Sequence, residues 1–229
     1  MKSIFLLIAL LFIGCSSSLV YSPSLQLDKN QPEKEEVTLS GNLTLLPETR
    51  PYSLTFPGLE VEQGDRTSIG LDGRIGYGFS ESFNLEGRGW IDIDRVSGKR
   101  GGLAIASSYY FNDDEKLSYF LKPAVGIVID NGQYEGLGFE VPAGIVYDFN
   151  ERFYNYTGVG LAYGARSTSI QENGNREIGF GFIGHFGFGY LLNDIVSVRA
   201  EFTPIQQINM YDETEPFIMS ATIGLSLSL

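Results

Sequence analysis

The sequence predicts an all-β fold: an up-and-down antiparallel transmembrane β-barrel of about ten strands, with eight as the smaller alternative. Three observations predict it. After residue 36, most of the chain alternates large apolar residues with small or polar ones, the period at which strand side chains change face. Within those stretches the charged residues fall opposite the apolar ones. The connections between them alternate between tight and long, the asymmetry expected of an outer-membrane barrel.

The stretch Glu177–Leu191, EIGFGFIGHFGFGYL, shows the pattern most clearly. Ile178, Phe180, Phe182, Phe186, Phe188 and Tyr190 take even positions, and Gly179, Gly181, Gly187 and Gly189 take odd ones. A helix would scatter these aromatics around its axis, and each glycine would cost it roughly 1 kcal/mol. As a strand it presents an apolar wall suited to lipid and a glycine face suited to a crowded interior or a wet lumen.

Composition narrows the function classes. The chain has 229 residues, with 28 Gly, 16 Phe and 13 Tyr, and a net charge of −12 with only 16 Lys plus Arg. Such an acidic balance with no basic cluster argues against nucleic-acid binding. No apolar run reaches the length of a spanning helix. One Cys and one His build neither a metal site at conventional spacing nor an intrachain disulfide, so no cofactor is expected.

Taken in order, residues 1–14 read as a signal peptide, with Lys2, an apolar run from Ile4 to Ile13, and Gly14 before Cys15. An ordinary signal peptide with an incidental cysteine is the competing reading. Residues 15–36 then form an N-terminus and polar tether with two prolines and no sustained periodicity. A peripheral plug is the alternative for this segment. Extended, its residues after Cys15 reach roughly 70 Å, ample to join an anchor to a barrel.

Residues 37–229 are the barrel. The predicted strands are Val37–Leu46, Arg66–Phe79, Phe83–Asp94, Gly102–Phe111, Leu117–Asp130, Leu137–Phe149, Phe153–Arg166, Glu177–Leu191, Ile195–Pro204 and Phe217–Leu229. Most have the 9–11 or more residues that a tilted strand needs to cross a bilayer. Tyr52–Phe56 rivals Val37–Leu46 as the first strand. Pro123 and Pro142 fall inside strands, where each removes a ladder hydrogen bond and predicts a bulge or bend.

With each strand's phase set by its apolar residues, Asp72, Arg74, Glu86, Arg88, Asp92, Asp94, Lys122, Asp130, Glu140, Asp148, Arg166, Arg199 and Glu201 all fall on the polar face. A charge facing lipid near the midplane costs about 2–4 kcal/mol, which accounts for the segregation. The mixed signs allow neutralisation across a narrow lumen. Tyr77, Phe79, Phe83, Tyr109, Phe111, Tyr119, Tyr147, Phe149, Phe153 and Tyr190 crowd the short-turn ends as an interfacial aromatic girdle.

Alternation alone does not say which face is inside. A soluble, lipid-anchored, lipocalin-like barrel would turn the apolar face inward around a ligand. Against it stand the scarcity of strand lysines, the girdle, and a chain that ends in a strand rather than a packed helix.

The Ile-Gly-Cys at residues 13–15, the tether, EEVTLSGNLTLL and GLDGRIGYGFSESFNLEGRGWIDI together resemble bacterial outer-membrane β-barrel lipoproteins. That resemblance implies a diacylglyceryl thioether on Cys15, and Ser16 after it implies outer-membrane retention. It also implies both chain ends in the periplasm, with the lipoprotein-sorting and outer-membrane assembly machineries as partners. The mature protein is expected to be a monomer in outer-membrane lipid. Leu229 departs from the terminal aromatic common in such barrels.

Few residues suggest chemistry. His185 lies on the lumen face near mid-strand and could act as a general base with Glu201 or Ser197 as partner, in a small outer-membrane enzyme acting on lipid or peptide. No local motif supports catalysis, and packing within the lumen is the plainer reading. Asp212, Glu213 and Glu215 form an acidic loop that could hold a divalent ion or simply be solvated. Ten strands lie near the size at which side chains fill a barrel, so a wide pore is not expected. The expectation is a non-enzymatic protein with a structural, binding or narrow-passage role.

Overall fold

The computed structural model describes residues 27, 34–46, 68–94, 98–112, 116–130, 133–167, 176–208 and 217–229. The signal peptide, Cys15, the rival strand Tyr52–Phe56 and the acidic loop around Asp212 lie outside them. So do the side chains of Asp92, Asp94, Asp130 and Arg166, whose backbones are in strands.

The described segments are β1 (Val37–Leu46), β2 (Ser68–Ser80), β3 (Phe83–Asp94), β4 (Gly98–Asn112), β5 (Leu117–Leu121), β6 (Ala124–Asp130), β7 (Gln133–Asp148), β8 (Phe153–Ser167), β9 (Arg176–Leu191), β10 (Val196–Ile208) and β11 (Phe217–Ser228). Apart from β5 and β6, which do not pair with each other, each pairs antiparallel with its neighbours in the chain, and β1 pairs with both β2 and β11, so the sheet closes on itself. The closure is sealed by reciprocal backbone bonds of 3.0 and 2.9 Å between Val37 and Leu229. Val37–Leu46 is therefore the first strand. Since β5 and β6 pair with the same two neighbours, the eleven segments make ten staves.

The β5–β6 interruption falls at Lys122 and Pro123, where the missing proline N–H breaks the ladder. Of the bulge or bend expected here, the bulge is absent. Leu121 faces Ala143 and Ala124 faces Glu140, so the register is the same on both sides. Pro142 stays within β7, its carbonyl accepting from Lys122 N at 2.8 Å. Single lost donors are tolerated because the flanking pairs remain intact. The register shifts instead at Gly78–Ser80 and at Val128–Ile129.

The tight turns have local causes. Asn150 Oδ1 accepts from the backbone N–H groups of Arg152 and Phe153, both at 2.9 Å. Asn193 Oδ1 accepts likewise from Ile195 and Val196 at 2.9 and 2.7 Å. An asparagine side chain substituting for a backbone acceptor is a common way to reverse a chain in few residues.

The apolar face is the outside. Ile75, Ile105, Val159, Leu161, Phe182, Phe186 and Ile223 are all at least half exposed, while Arg88, Arg199 and Glu201 are buried. This is the reverse of a lipocalin-like barrel. At the short-turn end, rings form two chains along the outer surface: Tyr77–Phe79–Phe83–Tyr109, with centroids 4.9, 5.7 and 4.9 Å apart, and Tyr147–Phe149–Phe153–Phe188, with 5.1, 5.2 and 6.2 Å. Phe111, Tyr119 and Tyr190 are exposed at the same level of the wall.

One residue of the segment read as a tether lies inside. Leu27 is fully buried in a cluster with Tyr110, Phe120, Val146, Tyr154 and Tyr156, all on the inward face near the short turns. A leucine gains more from this apolar pocket than from water; the residues of the segment on either side of it, 15–26 and 28–33, lie outside the described ones.

Candidate functional site

The lumen holds two polar clusters, each built by strand register. In the first, Asp72 and Arg74 project from β2, Glu86 and Arg88 from β3, and Glu140 from β7, with Lys122 at the proline break. Register sets Arg74 directly opposite Arg88, a repulsive pair unless acids intervene. Glu86 intervenes. It accepts from Arg88 Nε, lies 3.1 Å from Lys122 Nζ, and approaches Arg74 Nη1 at 3.7 Å. Arg74 Nε also donates to Asp72 at 2.7 Å, and Asn42 of β1 donates to the same carboxylate. Arg88 Nη1 reaches Glu140 at 3.5 Å.

All these side chains are buried, so each charge has surrendered most of its hydration. Such charges persist only when paired and hydrogen-bonded. Glu86, with three cations around it, is the hub. Lys122 supplies the third charge from the place where the stave loses its ladder.

The second cluster centres on Glu201 of β10. Its carboxylate accepts from Tyr156 Oη at 2.5 Å and Thr203 Oγ1 at 2.9 Å, and lies 3.0 Å from His185 Nδ1. Of the two partners that sequence offers for His185, the structure brings Glu201 to it. Carboxylate, imidazole, phenol and hydroxyl thus form one buried unit drawn from three adjacent strands. The other imidazole nitrogen, Nε2, has no hydrogen-bond partner among the described residues. Arg199 and Asp148 are buried in the lumen as well. Thr44 and Thr222 bridge β1 and β11 by a 2.9 Å hydroxyl contact.

The glycine face of β9 is crowded. A Cβ at Gly187 would overlap the ring of Tyr156, and one at Gly189 the ring of Tyr154. Register explains it, since Tyr156 faces Gly187 and Tyr154 faces Gly189. These tyrosines, with Thr203, Asn42 and Leu27, were not singled out by sequence reasoning. A signal for the tyrosines was present: inward-phase rings on one strand match inward-phase glycines on the next.

No protein-family model matches the chain, and no curated protein matches it in sequence. Solved structures are similar in fold at a distance. The N-terminal β-barrel domain of OprF from Pseudomonas aeruginosa is 11% identical with a TM-score of 0.40, covering 86% of this chain and 98% of its own. Ail, the attachment invasion locus protein of Yersinia pestis, is 12% identical with a TM-score of 0.37, covering 86% and 99%. The outer membrane protease OmpT of Escherichia coli is 10% identical with a TM-score of 0.37, covering 90% and 98%.

Proposed function

We propose that the protein is a non-enzymatic outer-membrane β-barrel lipoprotein, anchored by a lipid on Cys15, with a structural or binding role in the envelope and at most a narrow passage. One observation carries this reading: an apolar exterior with an aromatic girdle encloses a lumen of paired, buried charges. An exterior of leucine, isoleucine and phenylalanine is costly in water and suited to acyl chains. Lipid is then the principal partner, and a monomer suffices because the closed sheet leaves no edge to pair. Val37 and Leu229 meet at the short-turn rim, which puts both ends of the barrel on one side of the membrane, the periplasmic side in this reading.

The charge clusters hold the staves at a fixed register and fill the space that a pore would need. Glu201 already has three partners, as a positioned structural carboxylate does. Fractionation tests the proposal. The protein should remain with outer-membrane detergent extracts, migrate differently on a gel before and after boiling, and carry little current in a planar bilayer. A water-soluble chain with no heat-dependent shift, or large porin-like currents, would overturn it.

A further inference from the structure

We propose that the outer wall carries a lipid site: a groove floored by Gly73, Gly87 and Gly89 seats one acyl chain of a membrane phospholipid. This rests on the membrane-barrel reading above and gives its binding role a ligand class.

Register makes the groove. Gly73 stands opposite Gly89 and Ile75 opposite Gly87, while on the other side of β3 Gly87 faces Ile105 and Gly89 faces Leu103. Three glycines thus fall together on the outward face, near the middle of Ser68–Ser80 and Phe83–Asp94. Around this floor stand Ile75, Leu103, Ile105, Val125, Ile127 and Leu137, and the space they bound is about 670 Å³. Arg74 and Arg88, beside the glycines in sequence, turn their side chains into the lumen, where 1% and 0% of each is exposed. The groove is therefore apolar.

The barrel itself has no need of these glycines. A Cβ at Gly73 would meet nothing within 4 Å, and at Gly87 and Gly89 it would make ordinary contacts of 3.6 and 3.5 Å with Ile75 and Leu103. Gly187 and Gly189 differ, since the rings of Tyr156 and Tyr154 occupy their Cβ positions. A glycine inside a strand forgoes side-chain packing and weakens it. Three at one outward spot are a cost that crowding within the chain does not explain, whereas room for an external group does.

Two limits select the occupant. At mid-height the groove meets hydrocarbon, so whatever fills it is apolar, and left empty it would forfeit the dispersion contacts of its lining. Its volume lies within the roughly 300–1,000 Å³ of small-molecule sites. Its thirteen lining residues fall short of the roughly 20–30 a side that a stable protein interface uses, which favours a single chain over a second barrel. Lying on glycine, that chain approaches the backbone more closely than it could on leucine, as small residues allow between packed membrane segments.

Photo-crosslinking tests the site. The purified full chain is reconstituted into dioleoylphosphatidylcholine vesicles containing a phosphatidylcholine with a diazirine in its acyl chain. After irradiation, adducts are mapped by mass spectrometry. Adducts on Leu103, Ile105, Val125 and Ile127 should exceed those on Val159, Leu161 and Ile223, exposed elsewhere on the wall, by about fivefold. Gly73→Val combined with Gly89→Val should fill the floor and bring the two sets level. Ala200→Val, on β10 between outward Phe188 and Ile223, should leave the excess intact. Even labelling of the unaltered chain overturns the site, as does an excess that survives the filled floor. A deficit at the groove marks a protein partner covering it and overturns the lipid as occupant. Should the filled variant lose its gel shift on boiling, the comparison within the unaltered chain still decides. Loss of the shift in the unaltered chain would overturn the barrel reading instead.

Discussion

Gly187 of β9 and Tyr156 of β8 occupy paired positions, and the phenol ring fills the space in which a Cβ at 187 would stand. The ring is held there by its hydroxyl bond to Glu201, so it cannot yield without breaking the buried cluster. Gly187→Ala should therefore destabilise the barrel by about 1–3 kcal/mol through overpacking. Gly73→Ala is the control, because a Cβ at this outward glycine meets nothing within 4 Å. Its effect should stay within about 0.5 kcal/mol. Urea unfolding in lipid vesicles measures both, and equal effects at the two glycines would contradict the crowding argument.

Phe182 tests the face assignment. It is 54% exposed on the outer wall, whereas Gly187 on the same strand is buried. Phe182→Arg should impair insertion by about 2–4 kcal/mol, while Phe182→Leu should be nearly silent. A spin label at 182 should be relaxed by lipid-soluble oxygen and shielded from a water-soluble quencher. Free access of the aqueous quencher to 182 in the folded protein would count against a lipid-facing wall.

The hub role of Glu86 ranks the lumen acids. Glu86→Gln leaves Arg74, Arg88 and Lys122 gathered without their shared carboxylate, whereas Glu140→Gln removes an acid reached by Arg88 at 3.5 Å. The first should cost more than the second, up to about 3–5 kcal/mol where water is excluded and less in a hydrated lumen. Pairing Glu86→Gln with Lys122→Met should recover part of the loss in a double-mutant cycle. Strict additivity would show that Lys122 and Glu86 are not coupled.

Cys15 tests the anchor. Cys15→Ala should abolish incorporation of a labelled fatty acid but leave a barrel that inserts, since the apolar wall and girdle do not depend on the lipid. Metabolic labelling followed by the gel-shift assay reads both properties. No label in the unaltered protein would remove the anchor from the proposal, and complete loss of insertion in the variant would show that the barrel does depend on it.

Much of this protein was legible in the chain because alternation is local. Whether Ile75 and Arg74 point apart depends only on their being neighbours in an extended strand, and the cost of a charge in lipid does the rest. Strand limits such as Val37–Leu46 and Phe83–Asp94, the inward charges and most of the girdle follow from that rule. Phe188 escaped the girdle list because its place beside Phe153 is a matter of register between β8 and β9. Who meets whom inside the barrel was decided only by closure. Glu86 meets Lys122 and Arg88 meets Glu140 across strands that are not neighbours, at distances set by how ten staves tilt and close. The same holds for Leu27: nothing in SPSLQLDKN distinguishes a leucine in a tether from a leucine in a lumen. Its burial needs a pocket assembled from β4, β5, β7 and β8, which exists only after the sheet has closed. Periodicity is carried by each strand alone, whereas a cavity belongs to all of them together.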